Sequence, residues 1–206
     1  MQDDTNYLYK ENFNTLTTDT LADNGWKSSS QSSVTIKNDS DDYGNYVYFN
    51  PGGSTRNLKA TFLTDNVVNQ KYTMEMDFGI SGGNSATSEF TILSPDTTVA
   101  DNTSVTGGYI FKLTSTTKSA SATKSMVWKV NDDSEKTVTL TQNGTSPVWT
   151  NLKLTVDTDN SVTVTITQND EVVYSDTLST VDTADITPVG LNFKAGKAYS
   201  KAQFDN

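Results

Sequence analysis

Apolar residues recur at every second position along this chain, most cleanly in residues 149–178, WTNLKLTVDTDNSVTVTITQNDEVVYSDTL. Leu152, Leu154 and Val156 make one run, and Val162, Val164 and Ile166 make the next, after Asp157-Thr158-Asp159-Asn160. A third run, Val172-Val173-Tyr174 closed by Leu178, follows Gln168-Asn169-Asp170. A period of two buries one face of a strand and leaves the other in water. Asn and Asp at the breaks tolerate turn geometry and hydrogen-bond their own backbone. The stretch therefore reads as an antiparallel meander.

Most of the chain repeats this grammar. Short strands are predicted at Tyr9-Lys10-Glu11-Asn12-Phe13, around Val34 and Ile36, and at Tyr46-Val47-Tyr48-Phe49. Leu58, Ala60 and Phe62 form another alternation. Tyr72, Met74, Met76 and Phe78 alternate with Thr73, Glu75 and Asp77, which makes the cleanest two-faced strand of the first half. Further strands fall at residues 89–93, at Tyr109, Phe111 and Leu113, at Met126, Trp128 and Val130, at Val138 and Leu140, at 189–193 and at 202–205. Residues 17–33 and 95–108 read as polar loops, with Trp26 read as an indole covering a core edge, the alternative being a binding aromatic. No helical period competes. Short strands with regular turn signals predict an all-β, two-sheet antiparallel sandwich. No break in composition divides the chain, so residues 1–206 are expected to form one domain.

Only 33% of residues are hydrophobic, yet half-buried strands need apolar side chains at every other position only, so a core is still within reach. Thr and Ser exceed a quarter of the chain and suit the wet side of a strand. The net charge of −10 argues against nucleic acid and against anionic membrane surfaces. Without cysteine there are no disulfides or thiolate sites, and without histidine the commonest catalytic base and metal ligand is missing. No apolar run approaches the roughly 20 residues that span a bilayer. The opening MQDDTNYLYK lacks the regions of a signal peptide, and the expectation is a segment of a longer secreted bacterial protein.

Three segments carry a resemblance. They are Glu11-Asn12-Phe13 with Gly25-Trp26; Trp149 through Asp157; and Val189-Gly190-Leu191-Asn192-Phe193-Lys194-Ala195-Gly196, ending on Phe204-Asp205-Asn206. Together they resemble the concanavalin A-like lectin/glucanase superfamily, in its laminin-G-like and carbohydrate-binding-module branch. The resemblance implies a jelly roll whose first and last strands pair, appended to an extracellular polysaccharide-degrading enzyme. It also implies a structural calcium, with Glu11 and Asp205 as candidate ligands. Calcium takes roughly six to eight oxygens, so backbone carbonyls and water would complete the set. Ordinary exposed carboxylates are the alternative, and Asp39-Ser40-Asp41-Asp42 is a rival loop that also reads as a solvated turn.

Sugar binding needs aromatic faces against the pyranose and polar groups for its hydroxyls. Tyr46 and Tyr48 share one strand face, opposite Val47 and Phe49, and are expected outside the core. Tyr109 and Trp128 are further candidates, although their strand faces also hold core-like residues. Arg56, the lone arginine, could hold an acidic sugar bidentately. Glu75 and Asp77 lie two apart on a strand, at about 6.5–7 Å, a spacing found in paired glycosidase carboxylates. Superfamily glucanases carry E-x-D-x-x-E there, whereas Ile80 occupies the last position here. Residues 193–199 are similar to the terminal motif of jelly-roll alginate lyases, but the histidine and the arginine-rich strand of those enzymes are absent. The expectation is a monomeric, non-catalytic module that takes a neighbouring catalytic domain to a polysaccharide, a plant cell-wall glycan such as pectin. The alternatives are a lyase or glycoside hydrolase of the same fold, and an adhesion or spacer domain.

Overall fold

The computed structural model describes residues 11–39, 44–50, 52, 54–61, 71–81, 88–99, 105–115, 123–130, 135–141, 148–157, 159, 161–179, 187–195 and 201–205. Fourteen strands are described: β1 Lys27–Ser28, β2 Val34–Asp39, β3 Gly44–Phe49, β4 Arg56–Thr61, β5 Tyr72–Ser81, β6 Ser88–Leu93, β7 Phe111–Ser115, β8 Thr123–Val130, β9 Lys136–Thr141, β10 Thr150–Val156, β11 Ser161–Gln168, β12 Glu171–Ser179, β13 Gly190–Ala195 and β14 Lys201–Asp205. Every named pairing is antiparallel. They form two seven-stranded sheets, a first ordered β1-β4-β13-β6-β7-β8-β9 and a second ordered β12-β11-β10-β5-β14-β3-β2. The fold is the expected two-sheet sandwich.

The meander at residues 149–178 forms as read, as β10, β11 and β12 side by side. Its β11–β12 turn holds Asn169 and Asp170 at φ 50° and 62°, the doubly positive geometry that matches the twist of a two-residue hairpin. Leu152, Leu154, Val156, Val162, Val164 and Ile166 are all buried. The third run departs from expectation. The register shifts between Ile166 and Thr167, pairing Tyr174 and Val172 with them and skipping Val173. Val172 and Val173 are 64% and 44% exposed on β12, the last strand in the order of its sheet.

The two sheets meet in one apolar core. Phe78 of the second sheet stacks on Phe90 of the first at 6.4 Å between centroids, and Phe90 stacks on Phe193 at 4.7 Å. At one end Gln168 bridges the layers, taking Thr141 N–H at 2.9 Å and donating to Thr141 O at 3.1 Å and Thr150 Oγ1 at 2.8 Å. At the β9 and β12 edges the indole Nε1 of Trp128 donates to Tyr174 OH at 2.7 Å, and Lys136 pairs with Asp176 at 3.1 Å.

Two expectations about the chain ends are corrected. Residues 11–13 are not a strand: Phe13 turns at φ 57° and buries its ring edge-on against Trp26 at 5.0 Å. The last strand, β14, pairs with β3 and β5 rather than with β1, the first described strand, which is in the other sheet, and residues 1–10 lie outside the described residues.

Candidate functional site

The outer face of the second sheet gathers four of the seven sugar-binding candidates, Tyr46, Tyr48, Glu75 and Asp77. Val47 and Phe49 of β3 are fully buried, which turns Tyr46 and Tyr48 outward, each partly exposed. On β5 the inward Met76 and Phe78 leave Glu75 and Asp77 on that same outer side. Strand β10 pairs Lys153 with Glu75 and Asn151 with Asp77. The Asn151 amide donates to both carboxylates, at 3.2 Å to Glu75 Oε1 and 3.0 Å to Asp77 Oδ1. Lys153 Nζ lies 3.9 Å from Glu75 Oε2. Partial burial pushes the Asp77 carboxyl above its ordinary range; the Asn151 bond opposes this and the charge of Glu75 adds to it.

Aromatic rings stand beside these acids. Trp149, just before β10, meets Tyr46 edge-on at 5.4 Å between centroids. Lys37 Nζ sits 3.6 Å from the centre of the Tyr48 ring. Gly79 of β5 and Gln203 of β14 share a register position, and Gln203 is also opposite Tyr48. Trp149 and Asn151 were missed as site residues in the sequence. Their period with Lys153 already put them on the polar side of the strand, but only the pairing of β10 with β5 brings them to Glu75 and Asp77. This face offers two ring systems, an amide and two carboxylates, which suit the apolar faces and the hydroxyls of a sugar.

The other candidates lie elsewhere. Trp128 is fully buried between the sheets, with its N–H spent on Tyr174, so it has no face for a ligand. Tyr109 is 1% exposed beneath Lys112, whose Nζ is 4.2 Å from the ring centroid. For Trp128 the alternation shows which residues share a face but not what covers it, and Tyr109 lies before the start of β7 at Phe111. Arg56 belongs to β4 of the opposite sheet, where Nη1 donates to Thr55 O at 3.2 Å. Glu11 Oε1 accepts the Phe13 N–H at 2.8 Å. The side chain of Asp205 and residues 40–43 lie outside the described residues. Among the described residues no three His, Cys, Asp or Glu side chains converge. No described helix is long and apolar enough to cross a membrane.

No protein-family model matches the chain, and no curated protein matches it. Solved structures do. The chain is similar to a legume lectin-like domain from Entamoeba histolytica, with TM-score 0.62, 10% identity, and 98% of this chain and 96% of that one covered. It is similar to a GH131 β-glucanase catalytic domain from Podospora anserina, with TM-score 0.61, 11% identity, and 98% and 94% covered. It is also similar to the potassium-bound carbohydrate recognition domain of Emp46p, with TM-score 0.55, 15% identity, and 94% and 92% covered. The fold is that of the concanavalin A-like lectins and glucanases.

Proposed function

We propose that this protein binds carbohydrate on the outer face of its second sheet and does not cleave it. The observation that carries the reading is the Tyr46–Trp149 pair beside the Asp77–Asn151–Glu75 array on one face. A pyranose lies with its apolar side on the rings and its hydroxyls toward the carboxylates and the amide. Proteins of the same fold with carbohydrate recognition or glucanase action in their names support a sugar as ligand. The finer reading is a module of a secreted bacterial enzyme, holding it to a plant cell-wall glycan such as pectin.

Calorimetry against galactans, xylans, glucans and pectins tests this. One class should bind, and Tyr46→Ala and Trp149→Ala should each weaken it by about 1–2 kcal/mol, the worth of a lost stacking face. Unchanged affinity in both variants overturns the reading. One observation favours a second reading, glycoside hydrolysis: burial raises Asp77 beside Glu75, as suits an acid next to a carboxylate. It predicts new reducing ends from the bound glycan and their loss in Glu75→Gln.

A further inference from the structure

The middle of the first sheet holds a buried amide on the side away from the core. Asn192 of β13 lies between Leu191 and Phe193, which enter the core, so its own side chain leaves the sheet on the other side. It is nevertheless 0% exposed, and neither atom of its amide has a hydrogen-bond partner. The Oγ1 of Thr91, directly opposite on β6 and also 0% exposed, has none either. Most buried polar side-chain atoms are bonded, and an unpaired one opposes folding. The chain at Val105 lies over this face, its buried N–H donating to Glu89 Oε1 at 3.3 Å.

Neighbouring strands set reactive groups beside that amide. Lys59 of β4, partly exposed, is its direct partner on one side, and it shares the outward face because Leu58 and Ala60 belong to the core. Directly opposite Cβ atoms are about 4.5–5.5 Å apart, a gap that the flexible four-carbon stem of a lysine spans. Glu89, 4% exposed, stands two residues before Thr91 on β6 and so diagonal to Asn192. Diagonal neighbours are about 7–8 Å apart, still within reach of a long side chain. Lys194, by contrast, follows Asn192 on the same strand and is opposite Glu89. The patch thus holds an amine nucleophile, a carboxamide electrophile, a hydroxyl to donate to an oxyanion, and a carboxyl to carry protons.

We propose that Lys59 and Asn192 join in an intramolecular amide bond, made by the folded chain itself. Glu89 takes one proton from the Lys59 ammonium. The freed electron pair of Nζ forms a bond to Cγ of Asn192, and the carbonyl pair moves onto Oδ1, where the Thr91 hydroxyl donates to it. A second Nζ proton passes to Nδ2, the Oδ1 pair returns, and the Cγ–Nδ2 bond breaks. Ammonia leaves with the proton that Glu89 held, so the carboxylate is restored and nothing is oxidised or reduced. An internal reaction needs no ligand to reach the site, so complete burial of the amide suits it, and strand pairing has already brought the reactants together. The new bond ties β4 to β13 and closes a long loop of chain, which restricts the unfolded state. It is independent of the sugar reading, since the site is on the other sheet from the Tyr46–Trp149 face.

The test is mass spectrometry of the intact folded chain, denatured only after a long incubation. Its mass should be about 17 Da below that of the sequence, the mass of one ammonia. Trypsin should release one branched peptide that joins the Lys59 segment to the Asn192 segment. Lys59→Arg and Asn192→Ala should each restore the full mass, and Lys194→Arg should not. Glu89→Gln should slow formation of the bond by about tenfold or more. Lys59→Arg changes a partly exposed cation for another, so it reports on the bond even if Asn192→Ala fails to fold. The inference is overturned if the folded parent has its full sequence mass and gives no branched peptide. It is overturned too if the ammonia loss persists in Lys59→Arg, if Lys194→Arg abolishes it, or if Glu89→Gln links as fast as the parent.

Discussion

Replacing Tyr174 with phenylalanine removes a single oxygen from the bridge between the two sheets. In the folded protein that oxygen accepts the indole N–H of Trp128 at 2.7 Å, and Trp128 itself is fully buried. The phenyl ring keeps the packing of the two rings, whose centroids lie 6.0 Å apart at 82°, so the change removes the acceptor of Trp128 together with the Tyr174 O–H bond to Asp176 Oδ2 at 3.4 Å. A buried donor without its acceptor costs roughly 1–3 kcal/mol, and partial exposure of Tyr174 places the expected loss near about 2 kcal/mol. For a chain of this size, about 2–4 °C is lost per kcal/mol, so Tm should fall by about 4–8 °C. Thermal denaturation by circular dichroism measures this directly. Trp128→Phe removes the donor as well as indole volume, so it should cost more alone. In a double-mutant cycle, the second change should cost about 1–2 kcal/mol less once the first is made. A Tyr174→Phe protein melting within a degree of the parent would refute the reasoning, as would strictly additive losses.

Other outcomes follow from the same geometry. Lys136, and after it the Thr177 N–H, hold the Asp176 carboxyl below its ordinary value of 3.8. A depressed carboxylate contributes stability that is present above that value and is lost as pH falls through the lowered one. Lys136→Met should flatten this acid limb and return the Asp176 titration toward normal by NMR. Asp77 has the opposite sign, since its raised value makes its ionised form unfavourable to folding at neutral pH. Asp77→Asn should therefore raise Tm at pH 7, with the gain vanishing below pH about 3 in a pH series of melts. At Gly190 an added Cβ would run into the carbonyl oxygen of Ala60 on the neighbouring strand. Gly190→Ala should cost about 1–3 kcal/mol in urea unfolding, the range for overpacking, and a value near zero would contradict the tight β4–β13 approach.

The alternation of apolar residues was enough to read the sandwich, because each strand must hide one side wherever it sits. It also placed Tyr46, Tyr48, Glu75 and Asp77 outside the core, since Val47, Phe49, Met76 and Phe78 left them no other side. That these four share one sheet face was not legible. Strand β5 acquires β10 and β14 as neighbours through pairings far apart in the chain, and these bring Asn151 and Trp149 to the site. Trp128 failed as a platform for a related reason, because what buries it comes from other segments, whereas Tyr109 is buried beside Lys112 of its own segment. Trp128 lies against Phe111 and Tyr174, and Tyr109 lies under Lys112.

The irregularity between Ile166 and Thr167 reaches beyond the hairpin that contains it. Outermost strands offer free amides and carbonyls to any passing copy of the same protein, and two bare valines would ordinarily make that offer stickier. Here the skipped residue is Val173, so the two valines sit where the strand bends instead of along a straight, receptive rim. A bulge of this kind disfavours the growth of one molecule onto the next into a continuous ribbon at that spot.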